Sequence, residues 1–183
     1  MPKVKEKNTN NLIKLNKLNK NFKLLNLNNL KDLKEVLSDR CVDILVLYSE
    51  YNSSINKSLL NGYLNSLQDN KFKGIIGMVR TPGGAFELPL FTSKIIRKYD
   101  PKICLVIGCI LKGDTQHYEF LSSTVINAIR NVSFEFDTPI LNGILTVENN
   151  QQAVDRAGVK FNKGDEYATT SIKMLNFMKK FDV

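Results

Sequence analysis

The sequence predicts a three-layer α/β/α protein, a four-stranded parallel sheet flanked by helices, and two observations carry that expectation. Four short apolar runs lie between residues 43 and 147, and each is followed by a stretch whose apolar residues recur at helical spacing. Strand and helix taking turns in this way is the pattern of parallel strands joined by crossover helices that cover both sheet faces. The length of 183 residues leaves room for one domain with a substantial core.

The elements follow in order. Asp43-Ile44-Leu45-Val46-Leu47-Tyr48 is apolar without alternation, as a strand buried on both faces should be. Ile55, Leu59, Tyr63 and Leu67 then recur every fourth residue, one stripe of a helix. Gly74 to Val79 is the second strand. It ends in the turn Thr81-Pro82-Gly83-Gly84, before a helical segment carrying Leu90, Ile95 and Ile96. Ile103 to Leu111 makes the third strand and His117 to about Val132 the third helix. Pro139 to Val147 is the fourth strand, followed by Asn149 to Ala157 as a short helix that Gly158 would stop. Tyr167 to Phe181, with Ala168, Ile172, Leu175 and Met178 near helical spacing, closes the chain as a last helix.

Residues 1–36 stand apart from the domain expected over 37–183. Nine Asn and nine Lys with interspersed Leu predict a largely disordered arm. Leu24, Leu27, Leu30, Leu33 and Leu37 leave open a short amphipathic helix or a docked segment at its end. Of the formal charge of +8, residues 1–40 hold ten Lys/Arg against four Asp/Glu, a net of +6, so the remainder carries only +2. Basicity concentrated in the arm argues against a nucleic-acid partner for the folded domain. Cys41, Cys104 and Cys109 fit neither a disulfide framework nor a zinc motif, and with a single histidine no metal site is expected. Buried, reduced thiols suit a reducing compartment. No apolar stretch approaches the roughly 20 residues of a membrane span, and the start lacks the apolar core of a secretory signal. A soluble, cytoplasmic protein is expected, the arm leaving an organelle open as the alternative.

Sheets of this class bind ligands beyond the carboxyl ends of their strands, so chemistry belongs in the segments that follow each strand. Gly113-Asp114-Thr115 lies between a strand and a helix, where backbone N–H groups and the helix dipole favour an anion. A plain helix cap by Asp114 or Thr115 explains the same residues. His117, two residues on, brings the chain's one imidazole to the first helical turn, where it is a proton-transfer group or an ordinary surface residue. Pro82-Gly83-Gly84-Ala85-Phe86-Glu87 offers close backbone approach, a ring and a carboxylate. Tyr51-Asn52 offers a stacking face and an amide, and Arg156 a cation; each also has a plain surface reading.

The order and surroundings of these residues resemble a known family. Pro82-Gly83-Gly84-Ala85-Phe86-Glu87-Leu88-Pro89, the block Gly108 to Glu119, and Pro139 to Asn149 continuing through Gln152-Ala153-Val154-Asp155-Arg156-Ala157-Gly158 are similar, in the same order, to three blocks of the lumazine synthases. The resemblance spans roughly residues 43–178 and implies that family's flavodoxin-like fold. It implies condensation of 5-amino-6-ribitylamino-uracil with 3,4-dihydroxy-2-butanone 4-phosphate to 6,7-dimethyl-8-ribityllumazine in riboflavin biosynthesis, a transferase reaction needing no cofactor. By the same resemblance His117 transfers protons. Gly113, Asp114 and Thr115 hold the phosphate, with Arg156 reaching in from a neighbouring subunit. Tyr51, Asn52, Ala85, Phe86, Glu87, Cys109, Ile110, Leu111 and Asn142 line the pyrimidine and ribityl sites, and Lys163 resembles a lysine near the substrate. Its partners would be the two small substrates and other copies of the chain, as a pentamer or a 60-subunit shell of twelve pentamers; the short Val159 to Gly164 segment suits shells.

The chain departs from the family pattern at four places. The Pro-Gly-Gly-Ala-Phe-Glu turn has one Gly more than usual, Lys112 stands where Arg is common, Asn142 where a ring is common, and Ser49-Glu50-Tyr51-Asn52 replaces Gly-Arg-Phe-Asn or a close variant. The extra Gly bears on the ribityl-binding amides and Asn142 on the ring pocket. The alternative function is therefore a family member of reduced or lost turnover that binds ligand or forms a shell.

Overall fold

The structure is a computed structural model and describes residues 21–28, 42–158 and 161–182. Its elements are β1 (Lys23–Asn26), β2 (Ile44–Ser49), α1 (Ser53–Asp69), β3 (Ile75–Thr81), α2 (Leu88–Tyr99), β4 (Ile103–Leu111), α3 (His117–Glu135), β5 (Ile140–Val147), α4 (Asn150–Ala157) and α5 (Lys163–Phe181). The strands form one sheet in the order β1-β3-β2-β4-β5, with every pairing parallel. Among the described residues no helix is long and apolar enough to cross a membrane.

Both central strands are apolar throughout because both of their faces are covered. All six residues of β2 are buried, as are Ile103 to Ile110 of β4. Alternate residues feed two cores. Ile44, Val46, Leu105 and Ile107 pack with Leu59, Tyr63 and Leu67 of α1, Ala153 of α4 and Ala168 of α5. Leu45, Leu47, Cys104 and Val106 pack with Leu88 and Ile96 of α2 and Val125 and Ile129 of α3. Each Leu, Ile or Val among them taken fully out of water contributes about 1.5–3 kcal/mol.

Five strands stand where the sequence suggests four. The addition, β1, lies in the segment read as an arm, where the leucine spacing suits a helix as well as a strand. Pairing decides between them: Lys23 N–H donates to Gly74 O and Leu27 N–H to Met78 O, both at 2.9 Å, along the free edge of β3. The strand's period of two then sends Leu24 into one core and Leu25 and Leu27 into the other. Leu30, Leu33 and Leu37 lie outside the described residues.

The short helix α4 ends at Ala157 as expected, but not by a left-handed glycine. Gly158 is extended (φ −79°, ψ −178°), and the stop comes from Asn162, whose Nδ2 donates to Ala157 O at 2.9 Å. The Asn162 Oδ1 also accepts the Gly164 N–H at 2.8 Å and so caps α5. Gly164 lets α5 lie directly against α1: a Cβ there would sit 2.2 Å from Leu59 O and 2.5 Å from Tyr63 N.

The chain runs from β2 outward to β3 and then back across to β4 on the other side of β2. The connections after β2 and β4 therefore diverge, opening a crevice at the carboxyl edge between them.

Candidate active site

The first wall of this crevice is the corner between β2 and α1. Asn52, the residue before α1, adopts the left-handed conformation (φ 54°), which asparagine tolerates better than most residues. Its Nδ2 donates to Cys109 O at 2.8 Å, tying the corner to the end of β4. Tyr51 N–H donates to Gly83 O at 3.0 Å, so the corner is also bound to the turn after β3. The Tyr51 ring itself is 71% exposed. Beside it Arg80 and Glu50 pair at 2.7 Å, joining the ends of β3 and β2.

The second wall is the turn between β3 and α2, which holds the additional glycine. Gly83 has φ +82°, a conformation that glycine adopts without strain. This turn brings Gly84 N–H to Glu87 Oε2 at 2.7 Å, a charge-assisted bond. The extra residue is thus absorbed in a closed loop, and Gly84 N–H is spent on the protein's own carboxylate. Ala85 is buried, whereas the Phe86 ring is 64% exposed.

The floor and third wall come from β4 and α3. Cys109 and Ile110 are buried and Leu111 partly so. Burial pushes the Cys109 thiol up to about 11, so it is neutral near pH 7 and acts as apolar wall. The loop from Lys112 to His117 is exposed, with open space around Gly113. Thr115 Oγ1 accepts the His117 N–H at 3.4 Å, a long contact, while the residue that precedes the helix is Gln116, which makes no side-chain cap bond.

Together these walls enclose a groove of about 640 Å³, the size of a small-molecule site. It is lined by Tyr51, Asn52, Gly83, Gly84, Ala85, Phe86, Glu87, Cys109, Ile110, Leu111, His117 and Leu121. Tyr51, Asn52, Ala85, Phe86, Glu87, Cys109, Ile110 and Leu111, the pyrimidine and ribityl residues expected from the resemblance at the ends of β2, β3 and β4, meet here with the histidine. Gly113, Asp114 and Thr115 are not part of the lining and lead into it through His117. Asn142, Arg156 and Lys163 are elsewhere. Asn142 is exposed on the edge strand β5, its Oδ1 accepting the Ile144 N–H at 3.1 Å. Arg156 Nη1 donates to Gln152 O at 3.2 Å within α4, and Lys163 pairs with Glu166 at 2.6 Å at the start of α5.

Leu121 is the lining residue that sequence reasoning passed over. It follows His117 by four positions on α3, one turn along the same helix face, and that spacing was the available signal.

Fold and groove define a parallel α/β protein with a cavity of small-molecule size at the carboxyl edge of its sheet and an imidazole in its lining. The family described as 6,7-dimethyl-8-ribityllumazine synthase matches residues 42–179. Proteins named 6,7-dimethyl-8-ribityllumazine synthase are similar to this chain in Parabacteroides distasonis (35% identical over 137 residues, 74% of this chain and 86% of the relative) and Phocaeicola vulgatus (36% over 136 residues, 74% and 81%). A third, from Thermococcus kodakarensis, is 35% identical over 141 residues, 76% of this chain and 88% of the relative. The chain belongs to the 6,7-dimethyl-8-ribityllumazine synthase family. It is a transferase of riboflavin biosynthesis, joining 5-amino-6-ribitylamino-uracil and 3,4-dihydroxy-2-butanone 4-phosphate with loss of phosphate and water.

Proposed function

We propose that this condensation takes place in the groove, with His117 as the proton-transfer residue. The observation that carries the reading is the meeting, around one 640 Å³ space, of segments far apart in sequence that end in an aromatic ring, a carboxylate turn and the imidazole. Tyr51 stacks on the pyrimidine, with Asn52 beside it and Cys109, Ile110 and Leu111 beneath. Ala85, Phe86 and Glu87 face the ribityl chain. Gly113, Asp114 and Thr115 receive the phosphate at the amino end of α3, where open backbone and the helix dipole favour an anion.

The 5-amino group and the butanone carbonyl first form an imine, releasing water. Phosphate then leaves, the resulting chain tautomerises, and the ribityl-bearing nitrogen closes the ring with loss of a second water. Nearly every step moves a proton, for which His117 stands at the mouth. Holding the two substrates together supplies up to about 7–11 kcal/mol in well-oriented cases.

Asn142 and Arg156 lie outside the groove of their own chain, and Asn142 is exposed. We infer that a neighbouring copy brings them to it, Arg156 to the phosphate and Asn142 to the ring pocket, in a pentamer or in a 60-subunit shell. Exposed Phe120, Phe134 and Phe161 supply apolar area for such contacts. The catalytic unit is assigned to residues 37–183, to whose sheet the N-terminal segment adds β1, and the enzyme to the cytoplasm.

Purified protein incubated with both substrates should give lumazine fluorescence and equimolar phosphate above the uncatalysed background. A rate equal to background, with His117→Ala indistinguishable, would sink the site assignment in favour of a ligand-binding or shell-forming role. Solution mass, by light scattering, distinguishes five copies from sixty, and a monomer with full activity would refute the shared site.

A further inference from the structure

Asn56 is not in the groove's lining, yet its side chain bonds the backbone of Tyr51, whose exposed ring is part of it. It lies in the first turn of α1, 0% exposed, on a face otherwise occupied by Ile55, Leu59 and Leu60. Its Nδ2 donates to Tyr51 O at 2.8 Å and Ser49 O at 3.0 Å, with Ser49 Oγ also at 3.0 Å. The orientation of the amide is fixed by chemistry: an oxygen in that position would face two carbonyl oxygens. Its Oδ1, on the other side, is buried without a hydrogen-bond partner among the described residues. An amide that leaves its acceptor unsatisfied inside the protein makes its contribution through its donors.

Those donors act on Tyr51. With the ring 71% exposed, packing leaves its direction undetermined, and the backbone at Cα must set it. Both backbone polar groups of Tyr51 are engaged, N–H with Gly83 O at 3.0 Å and C=O with Asn56. The following residue is left-handed and tied to Cys109 O. Asn56 reaches up from the core and joins the end of β2 to the corner across Ser49 and Tyr51, where the buried Ser49 Oγ adds a longer contact to Tyr51 O at 3.5 Å.

We propose that Asn56 is a positioning residue for the pyrimidine substrate, acting through the Tyr51 carbonyl to aim the stacking ring. The proposal rests on the reading that Tyr51 stacks on that substrate. Without the bonds from Asn56 Nδ2 the corner keeps its ends and retains only the 3.5 Å Ser49 Oγ contact at its middle, and the ring wanders before substrate arrives. The pyrimidine then binds at the cost of ordering the corner, while butanone phosphate, bound at the other end of the groove, is unaffected.

The test is a double-mutant cycle read as separate KM values. Asn56→Ala should raise KM for the ribitylaminouracil by about fivefold or more, the low end of what one base–aromatic stack is worth. Its KM for the butanone phosphate and its kcat at saturation should stay within about twofold. Tyr51→Ala should raise the same KM, and adding Asn56→Ala to it should change that KM no further. A normal pyrimidine KM in Tyr51→Ala overturns the stacking reading itself. A normal KM in Asn56→Ala with a raised one in Tyr51→Ala, or additive effects in the double variant, overturns the proposal alone.

Asn56→Asp keeps the volume and removes the donors, and it serves if the alanine variant does not fold. Its pyrimidine KM should fall back as pH drops and the carboxyl gains a proton to donate, and a pH-independent KM would overturn the proposal. Because the chain has no Trp, Tyr51→Trp provides a single tryptophan in the intact protein, which red-edge excitation reads apart from the five remaining tyrosines. Its anisotropy should drop when Asn56→Asp is added, and an unchanged value counts against the proposal.

Discussion

Gly83 and Gly84 are neighbours in one turn, and the structure assigns them opposite tolerances to a single methyl group. At Gly83 φ is +82°, where an L-residue costs about 1–2 kcal/mol. A Cβ there would also lie 2.6 Å from Glu87 Oε2, displacing the carboxylate that accepts the Gly84 N–H at 2.7 Å. A hydrogen bond to a charged group contributes about 1.5–3 kcal/mol, taken at the low end because Glu87 is partly open to water. Gly83→Ala should therefore destabilise the fold by about 2–4 kcal/mol. For a chain of this size that lowers Tm by roughly 5–15 °C. At Gly84 φ is not in the left-handed range and the nearest atoms to a Cβ, on Glu87 and Tyr51, are 3.8 Å away. Gly84→Ala keeps the N–H, restricts the unfolded chain and should leave Tm within about 2 °C. Thermal unfolding at one fixed protein concentration, with the pyrimidine KM measured alongside, checks both. A Gly84→Ala variant as damaged as Gly83→Ala would refute this account of the turn.

Replacing His117 by alanine should lower kcat by about 10²–10⁴-fold while the far-ultraviolet spectrum and Tm stay unchanged, since the side chain is exposed. Gly164→Ala forces a Cβ onto the backbone of α1 at Leu59 O and Tyr63 N, and overpacking of this kind costs about 1–3 kcal/mol. A lowered denaturant midpoint is expected, and a raised one would mean that helix propensity outweighs the clash. Cys109, with its thiol pushed up to about 11 by burial, should react with iodoacetamide at pH 8 far more slowly than a free thiol, as peptide mapping would record. Between about pH 9 and 11 the unfolded state loses this proton while the folded state keeps it. The thiol's contribution to stability is then complete below 9 and lost toward 11, so denaturation midpoints should fall across that window.

The order of strands and helices, the two buried central strands and the segments that follow each strand were legible because they depend on patterns a few residues long. Period two and period three-to-four survive in the sequence, and the four strands between 43 and 147 all formed. So did the five helices, with the last beginning four residues earlier than its apolar spacing indicates, at Lys163 behind the Asn162 cap. The family blocks carried Glu87 and His117, and its place just after the first strand carried Tyr51, to one end of the sheet before any distance was known.

Other features depend on which backbones run side by side, and no local pattern records that. The fifth strand exists because β3 offers Lys23 to Asn26 a free edge. The additional glycine closes a turn because Glu87 is placed to accept from Gly84. Asn142 and Arg156 fall outside their own groove because β5 is the sheet edge and α4 follows it, on the far side of β4 from β2. Asn56 reads in sequence as a polar interruption of an apolar helix face, and only folding brings the Ser49 and Tyr51 carbonyls to its amide. Sequence alone determined the alternation of strands and helices and the sheet edge at which the candidate residues gather; the tertiary structure decided the fifth strand and how each side chain is held, because those hydrogen bonds join segments brought together only when the sheet assembles.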